Sequence, residues 1–148
     1  MYRPTFDRRE LKENASELLD AFDRDAGDSN LRWSIGNAMS VVAGDEQFAR
    51  IAAIIETKSF GKSRQMFVSS LTKMRRMENI VKARQLLTAC IDDHEVRLHA
   101  IRASGVLRAT EARAKLEACL LEEKAWIRKA AKNALQRMER PVPKHLKS

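Results

Sequence analysis

The chain has 148 residues, 44% of them apolar, and 28 Lys and Arg against 20 Asp and Glu give it a formal net charge of +8. That length and apolar share suit one domain with a continuous core. No stretch approaches the roughly 18 apolar residues that span a bilayer, and the opening MYRPTFDRRELKEN lacks the apolar centre of a signal peptide, so a soluble, unexported protein is expected.

Only five Gly and three Pro occur, with Pro4, Pro141 and Pro143 at the two ends, so nothing interrupts a helical pattern between residues 7 and 140. An all-α fold is expected. Apolar residues at i, i+3, i+4 and i+7, separated by polar breaks, predict eight helices. The first covers about 7 to 24, with Leu11, Ala15, Leu18, Leu19 and Phe22 on one face, and ends in the polar turn DRDAGDSN. The others cover about 31 to 43, 46 to 57, 62 to 76, 78 to 91, 94 to 108, 110 to 122 and 125 to 139. They pair into hairpins over 7–43, 45–76, 78–108 and 110–139, and residues 140–148 are expected to form a flexible basic tail.

Within this series Arg32, Arg64, Arg97 and Arg128 recur at spacings of 32, 33 and 31 residues, each near the start of an even-numbered helix. Aligning LRWSIGNAMSVV, SRQMFVSSLTKM, VRLHAIRASGVL and IRKAAKNALQRM on the arginine brings further columns into register. Three residues on stand Ile35, Phe67, Ala100 and Ala131. Six residues on stand Ala38, Ser70, Ala103 and Ala134, small enough for helices to approach closely. Ten residues on stand Val42, Met74, Leu107 and Met138, closing the apolar face. A period near 32 is the mark of stacked helical hairpins, each of which buries its apolar face only against its neighbours.

These residues resemble the HEAT-like repeat family in its short form, in which an acidic turn precedes a V-R-x-x-A-x-x-A-x-x-x-L helix. IDDHEVRLHAIRASGVL is the closest match and EEKAWIRKAAKNALQRM is nearly as good. The likeness is strong over 78–139 and weaker before; in the second unit Lys58 and Ser59 replace the acidic turn, and Ser63 replaces the Val. The resemblance implies an α-solenoid wound as a right-handed superhelix, with the arginine-bearing helices on the concave side. It implies no particular function. Asp28, Asp92 or Asp93, and Glu122 or Glu123 stand four to six residues before an arginine, so the first expected role of the arginines is a ladder between repeats.

Charge is unevenly placed. Residues 1–58 carry 8 basic against 11 acidic side chains, a net −3, and residues 59–148 carry 20 against 9, a net +11. Positions one, five and nine after the repeating arginine share a helical stripe offset from the apolar columns. They are Trp33, Asn37 and Val41; Gln65, Ser69 and Lys73; Leu98, Arg102 and Val106; and Lys129, Asn133 and Arg137. Lys132 flanks this stripe, and Arg75, Arg76 and Arg108 lie at its lower rim. Such a basic surface suits an acidic protein segment or a phosphodiester backbone. The plainer alternative is that these cations only solvate helix faces. Trp33 is either an anchoring aromatic or an indole packed on the first helix. Trp126, beside Ile127, is assigned to the core or to hairpin packing, and Phe6, Phe22, Phe48, Phe60 and Phe67 to the core.

No Gly-rich phosphate loop, GxSxG, HExxH or EF-hand pattern occurs, so an enzyme defined by such a motif is not expected. His94 and His99 are five residues apart, about 140° around a helix, and diverge from a shared metal. Asp92 and Asp93 read as turn and N-cap residues. A glycosylase acting on damaged DNA would need a groove carboxylate that the stripe lacks. Cys90 and Cys119 lie in apolar patterns without CxxC spacing and read as reduced core thiols, pointing to the cytoplasm.

The expectation is therefore a non-catalytic interaction module without cofactor or metal. It is expected to bind an acidic or mixed partner through Trp33, Asn37, Lys73, Arg102, Lys129, Lys132, Asn133 and Arg137. The alternatives are nucleic-acid backbone binding by the same surface, and homo-oligomerisation through the oppositely charged ends.

Overall fold

The computed structural model describes residues 8–24 and 27–147, without the side chains of Arg8 and Leu11. The core assignments of Phe6 and of the Leu11 side chain lie outside the described residues. Nine α-helical segments make up the fold, joined by short 3-10 turns, with no strand among the described residues. They are α1 (Arg8–Glu13), α2 (Ala15–Arg24), α3 (Ser29–Val42), α4 (Phe48–Glu56), α5 (Gln65–Ser70), α6 (Met77–Cys90), α7 (Arg97–Val106), α8 (Arg113–Cys119) and α9 (Ala125–Met138). Helices α1 and α2 are one helical unit marked by a break at Asn14, since Asn14 N–H donates to the Glu10 carbonyl and Leu18 N–H to the Asn14 carbonyl. The described residues thus form eight helical units.

Consecutive units pack in pairs, α2 on α3, α4 on α5, α6 on α7 and α8 on α9. The even-numbered units also contact one another in series, α3 on α5, α5 on α7 and α7 on α9. The aligned apolar columns explain this second set of contacts. Ile35, Phe67, Ala100 and Ala131 are all buried, as are Val42, Met74, Leu107 and Met138. Small residues let backbones meet: a Cβ built on Gly105 would lie 2.8 Å from the Ala134 Cα, so α7 and α9 touch almost backbone to backbone. At the other end Phe22 meets Phe60 and Phe67 edge to face, with ring centroids 5.0 and 5.1 Å apart.

Polar links repeat the same period. Asp45, in the turn after α3, accepts from the backbone N–H groups of Arg75 and Arg76 and from Asn79 Nδ2, 30 to 34 residues further on. Its carboxylate therefore caps the start of α6 from the preceding pair. Burial works to raise the Asp45 pKa, but the hydrogen bonds from Asn79, Arg76 and Arg75 outweigh it and hold the group below the usual 3.8.

Two expectations need correcting. The helix predicted over 62–76 is instead a 3-10 run (Lys58–Arg64), the six-residue α5 and a further 3-10 turn (Leu71–Lys73). Gly61, at φ +56°, kinks the first of these, a conformation that costs glycine little. The basic tail is also not frayed through residue 147: Lys144–Leu146 form a 3-10 turn, Leu146 is 4% exposed in the core, and Arg108 Nη2 donates to the Pro141 carbonyl. One apolar side chain beyond the two prolines is enough to dock it.

Candidate functional site

The four repeating arginines divide by what the next unit offers them. Arg64, 1% exposed, donates to Asp93 Oδ2 at 2.9 Å and to the Ile55 and Gly61 carbonyls, with Glu95 Oε1 3.8 Å away. Arg97 donates to Glu122 Oε1 at 2.6 Å and to Cys119 Sγ. In both cases the carboxylate comes from the turn of the following unit. Among the described residues Arg32 meets no carboxylate, and the following turn carries Lys58 and Ser59 in place of an acid. Its guanidinium lies instead over the rings of Phe60 and Phe22, 4.5 and 4.8 Å from their centroids. Arg128, in the last of the four pairs, donates to the Glu122 and Glu123 carbonyls of its own turn.

The acidic residues assigned to this ladder separate accordingly. Asp28 accepts from Leu31 N–H as the N-cap of α3 and does not pair with Arg32. Asp92 pairs with Lys115 at 2.6 Å, not with an arginine. Asp93 accepts from Glu95 N–H in the turn before α7 as well as from Arg64, so the capping role expected of the two aspartates reduces to closing this turn. Burial raises the Asp93 pKa, yet the Arg64 hydrogen bond, the Glu95 N–H and the Arg64 charge bring it below the usual value. Hydrogen bonding from Arg97 likewise lowers the Glu122 pKa. These charges are neutralised within the fold.

The cations of the predicted stripe are arranged differently. Arg102 from α7 and Lys129, Asn133 and Arg137 from α9 line one open concavity of about 700 Å³, joined by Arg140 and Trp126. The α9 residues fall at i, i+4 and i+8, so they stand about 6 Å apart along one helix face. Among the described residues, Arg102, Lys129, Lys132, Arg137 and Arg140 form no ion pair and donate no side-chain hydrogen bond within the chain. Helix α9 itself contains no acidic residue, and Glu139 just beyond it turns to Arg113 at 3.0 Å. No carboxylate lines the groove.

Beyond the groove's arginine end the positive charge continues. Arg108 sits at φ +52°, and its guanidinium bonds to the Gly105, Val106 and Pro141 carbonyls. Burial and then the charges of Arg137 and Arg140 depress its pKa. His145, on the docked tail, is lowered by burial and by Arg75 and Arg108. On α7, burial and Arg102 lower His99.

The remaining predicted site residues lie elsewhere. Trp33 is 39% exposed and donates a long hydrogen bond, 3.5 Å, to Gln65 Oε1, whose amide Nε2 donates to the Glu95 carbonyl. Asn37 is exposed on α3, outside the groove. Lys73 lines a separate concavity with Val41, Asp45 and Arg75. Lys132 is exposed on α9 and is not part of the groove lining. Trp126 is the main correction. Assigned to the core or to hairpin packing beside Ile127, it is 58% exposed while Ile127 is buried, because successive helical residues point about 100° apart. It forms a wall between the groove and a smaller hollow that includes His99 and Leu98, and Lys124 Nζ lies 5.6 Å from its ring centroid. Its phase relative to Ile127 was the signal that marks it as a surface residue.

No described helix is long and apolar enough to cross a membrane. No three metal-ligating side chains converge among the described residues. Cys90 and Cys119 are buried free thiols that form no disulfide, and burial, with Asp93 nearby, pushes the Cys90 thiol up to about 11. Compared with models of known families, with curated proteins and with solved structures, the chain has no match.

Proposed function

We propose that this protein is a HEAT-like α-solenoid, a right-handed stack of four hairpins, acting without catalysis as an adaptor, regulator or inhibitor that binds an acidic segment of another protein. The repeat reading rests on the aligned buried columns, on the serial contacts of α3, α5, α7 and α9, and on polar links that span 29 to 34 residues. The unpaired thiols suit a reducing cytoplasm.

The observation that carries the binding reading is the contrast in pairing. Arg64 and Arg97 are neutralised by carboxylates, whereas Arg102, Lys129, Arg137 and Arg140 converge on one groove with none. Unpaired like charges repel one another, and an anionic partner relieves that repulsion while being concentrated by the field of the concavity.

A second reading, binding of a phosphate backbone, draws on Arg108 lying close to Arg137 and Arg140 at the groove's end. Fluorescence anisotropy separates the two. Labelled oligoglutamate and labelled single- and double-stranded oligonucleotides are titrated at several salt concentrations. The proposal expects saturable, salt-sensitive binding of oligoglutamate that Arg102→Glu/Arg137→Glu abolishes. Tighter binding of either oligonucleotide at moderate salt selects the phosphate reading.

A further inference from the structure

The groove between α7 and α9 differs chemically from one end to the other, and this specifies more of its occupant than negative charge. At one end stands Trp126, more than half exposed, at the start of α9. At the other, Arg137 and Arg140 converge with Arg108 close by. Between them Lys129 and Asn133 face the groove from α9, and Arg102 and Val106 from α7. Trp126 and Arg137 are eleven positions apart, roughly 16 Å along the helix axis at 1.5 Å per residue.

We infer that the groove takes a short extended segment of a partner protein whose bulky apolar side chain rests on Trp126 and whose carboxylates, about five residues away, pair with Arg137 and Arg140. The spacing follows from the rise of about 3.3 Å per residue in extended chain. This inference rests on the protein-binding reading above and adds the anchor, the length and the polarity of the segment. The indole supplies a rigid apolar platform, and the unpaired guanidiniums supply bidentate donors that a carboxylate matches. Asn133 stands between the two ends, placed to hydrogen bond the main chain of an extended segment.

The chain holds two tryptophans, Trp33 and Trp126. Trp33→Phe, a change outside the groove, therefore leaves Trp126 as the sole tryptophan reporter. The probes are acetylated hexapeptides with leucine at one end and three aspartates at the other, in both orders, and the same peptides with serine for leucine. Hexathymidylate is the nucleic-acid probe. The expected result is a saturable blue shift of Trp126 emission with one leucine peptide, about tenfold weaker binding when serine replaces the leucine, and no binding in Arg137→Glu/Arg140→Glu. Trp126→Ala, read by anisotropy of a labelled peptide, weakens the leucine peptide to the level of the serine peptide.

Acidic peptides that bind equally with leucine or serine and leave Trp126 emission unchanged overturn this inference while leaving the acidic-segment reading in place. Acidic peptides that do not bind at all overturn both. A larger emission shift with hexathymidylate than with any peptide overturns the inference in favour of a base stacked on Trp126.

Discussion

The second and fourth helical pairs both carry arginines on their even helices, but they spend the charge in opposite ways. In the second, Arg64 is buried and holds Asp93 of the next unit, so its charge ties two pairs together. In the fourth, Arg137 stands exposed in a groove with Lys129 and Arg140 and has no acid to meet. Position relative to the apolar columns decides the difference. Arg64 leads its helix three residues before the buried Phe67. Arg137 falls nine residues after Arg128, off the phase of Ala131, Ala134 and Met138. A net charge of +8 thus says little until each cation is placed.

The buried side of this comparison breaks most severely. Asp93→Ala leaves the buried Arg64 guanidinium with only the distant Glu95 carboxylate, 3.8 Å away, and should cost about 3 kcal/mol in urea denaturation. Arg64→Met in the same background, which removes the stranded charge, should recover part of that loss. An Asp93→Ala cost under about 0.5 kcal/mol would place this pair with ordinary surface bridges.

The groove depends on α7 and α9 lying in close contact. Gly105→Val puts side-chain carbons where the Ala134 backbone already stands and should cost about 2 kcal/mol. It should also weaken acidic-peptide binding by separating Arg102 from Lys129. Unchanged stability and binding would show that the two helices part without consequence.

Smaller effects follow from Asp45, whose loss by Asp45→Ala removes the cap of α6 and should cost about 1.5 kcal/mol. The pH dependence has a definite sign. Asp45 and Asp93 have folded-state pKa values below the ordinary 3.8, so the unfolded chain takes up protons first. Their stabilisation is full above about pH 5 and is lost as the pH falls through the depressed values. Urea midpoints should drop between pH 5 and pH 3, with a shallower drop in Asp45→Asn. An equal drop in that variant would assign the acid sensitivity to other carboxylates.

The smallest stability effect should come from the groove itself. Arg102→Glu/Arg137→Glu should change unfolding free energy by no more than about 0.5 kcal/mol, because neither side chain has a partner to lose. A loss of several kcal/mol would mean that these cations serve the fold.

Much of this arrangement was legible in the chain. The columns after the arginines anticipated the buried residues of α3, α5, α7 and α9, because helical phase and burial share one period. Grouping Arg102, Lys129, Asn133 and Arg137 also followed from phase, since positions one, five and nine lie on one stripe. Other features depended on tertiary context. Trp33, Asn37 and Lys73 share that phase but stand on helices outside the groove. Proximity to Ile127 in sequence points Trp126 to the core or to hairpin packing, whereas its phase one residue earlier turns it outward. Arg32 stacking on Phe60 was foreshadowed by the missing acidic turn at Lys58 and Ser59, although nothing local said that a ring would take its place. Gly61 and Leu146 altered α5 and the tail through single residues that periodicity does not weigh.

If the α7–α9 groove directs binding, removing its cations should matter more than lowering the net charge elsewhere. The most direct measurement is calorimetric titration of oligoglutamate into the wild type, Arg102→Glu/Arg137→Glu and Arg24→Glu/Lys82→Glu. The last pair is exposed, lies outside the groove and changes the net charge equally. The groove variant should lose binding, and the distant variant should keep it within about threefold. Equal losses in the two variants would contradict the groove's role.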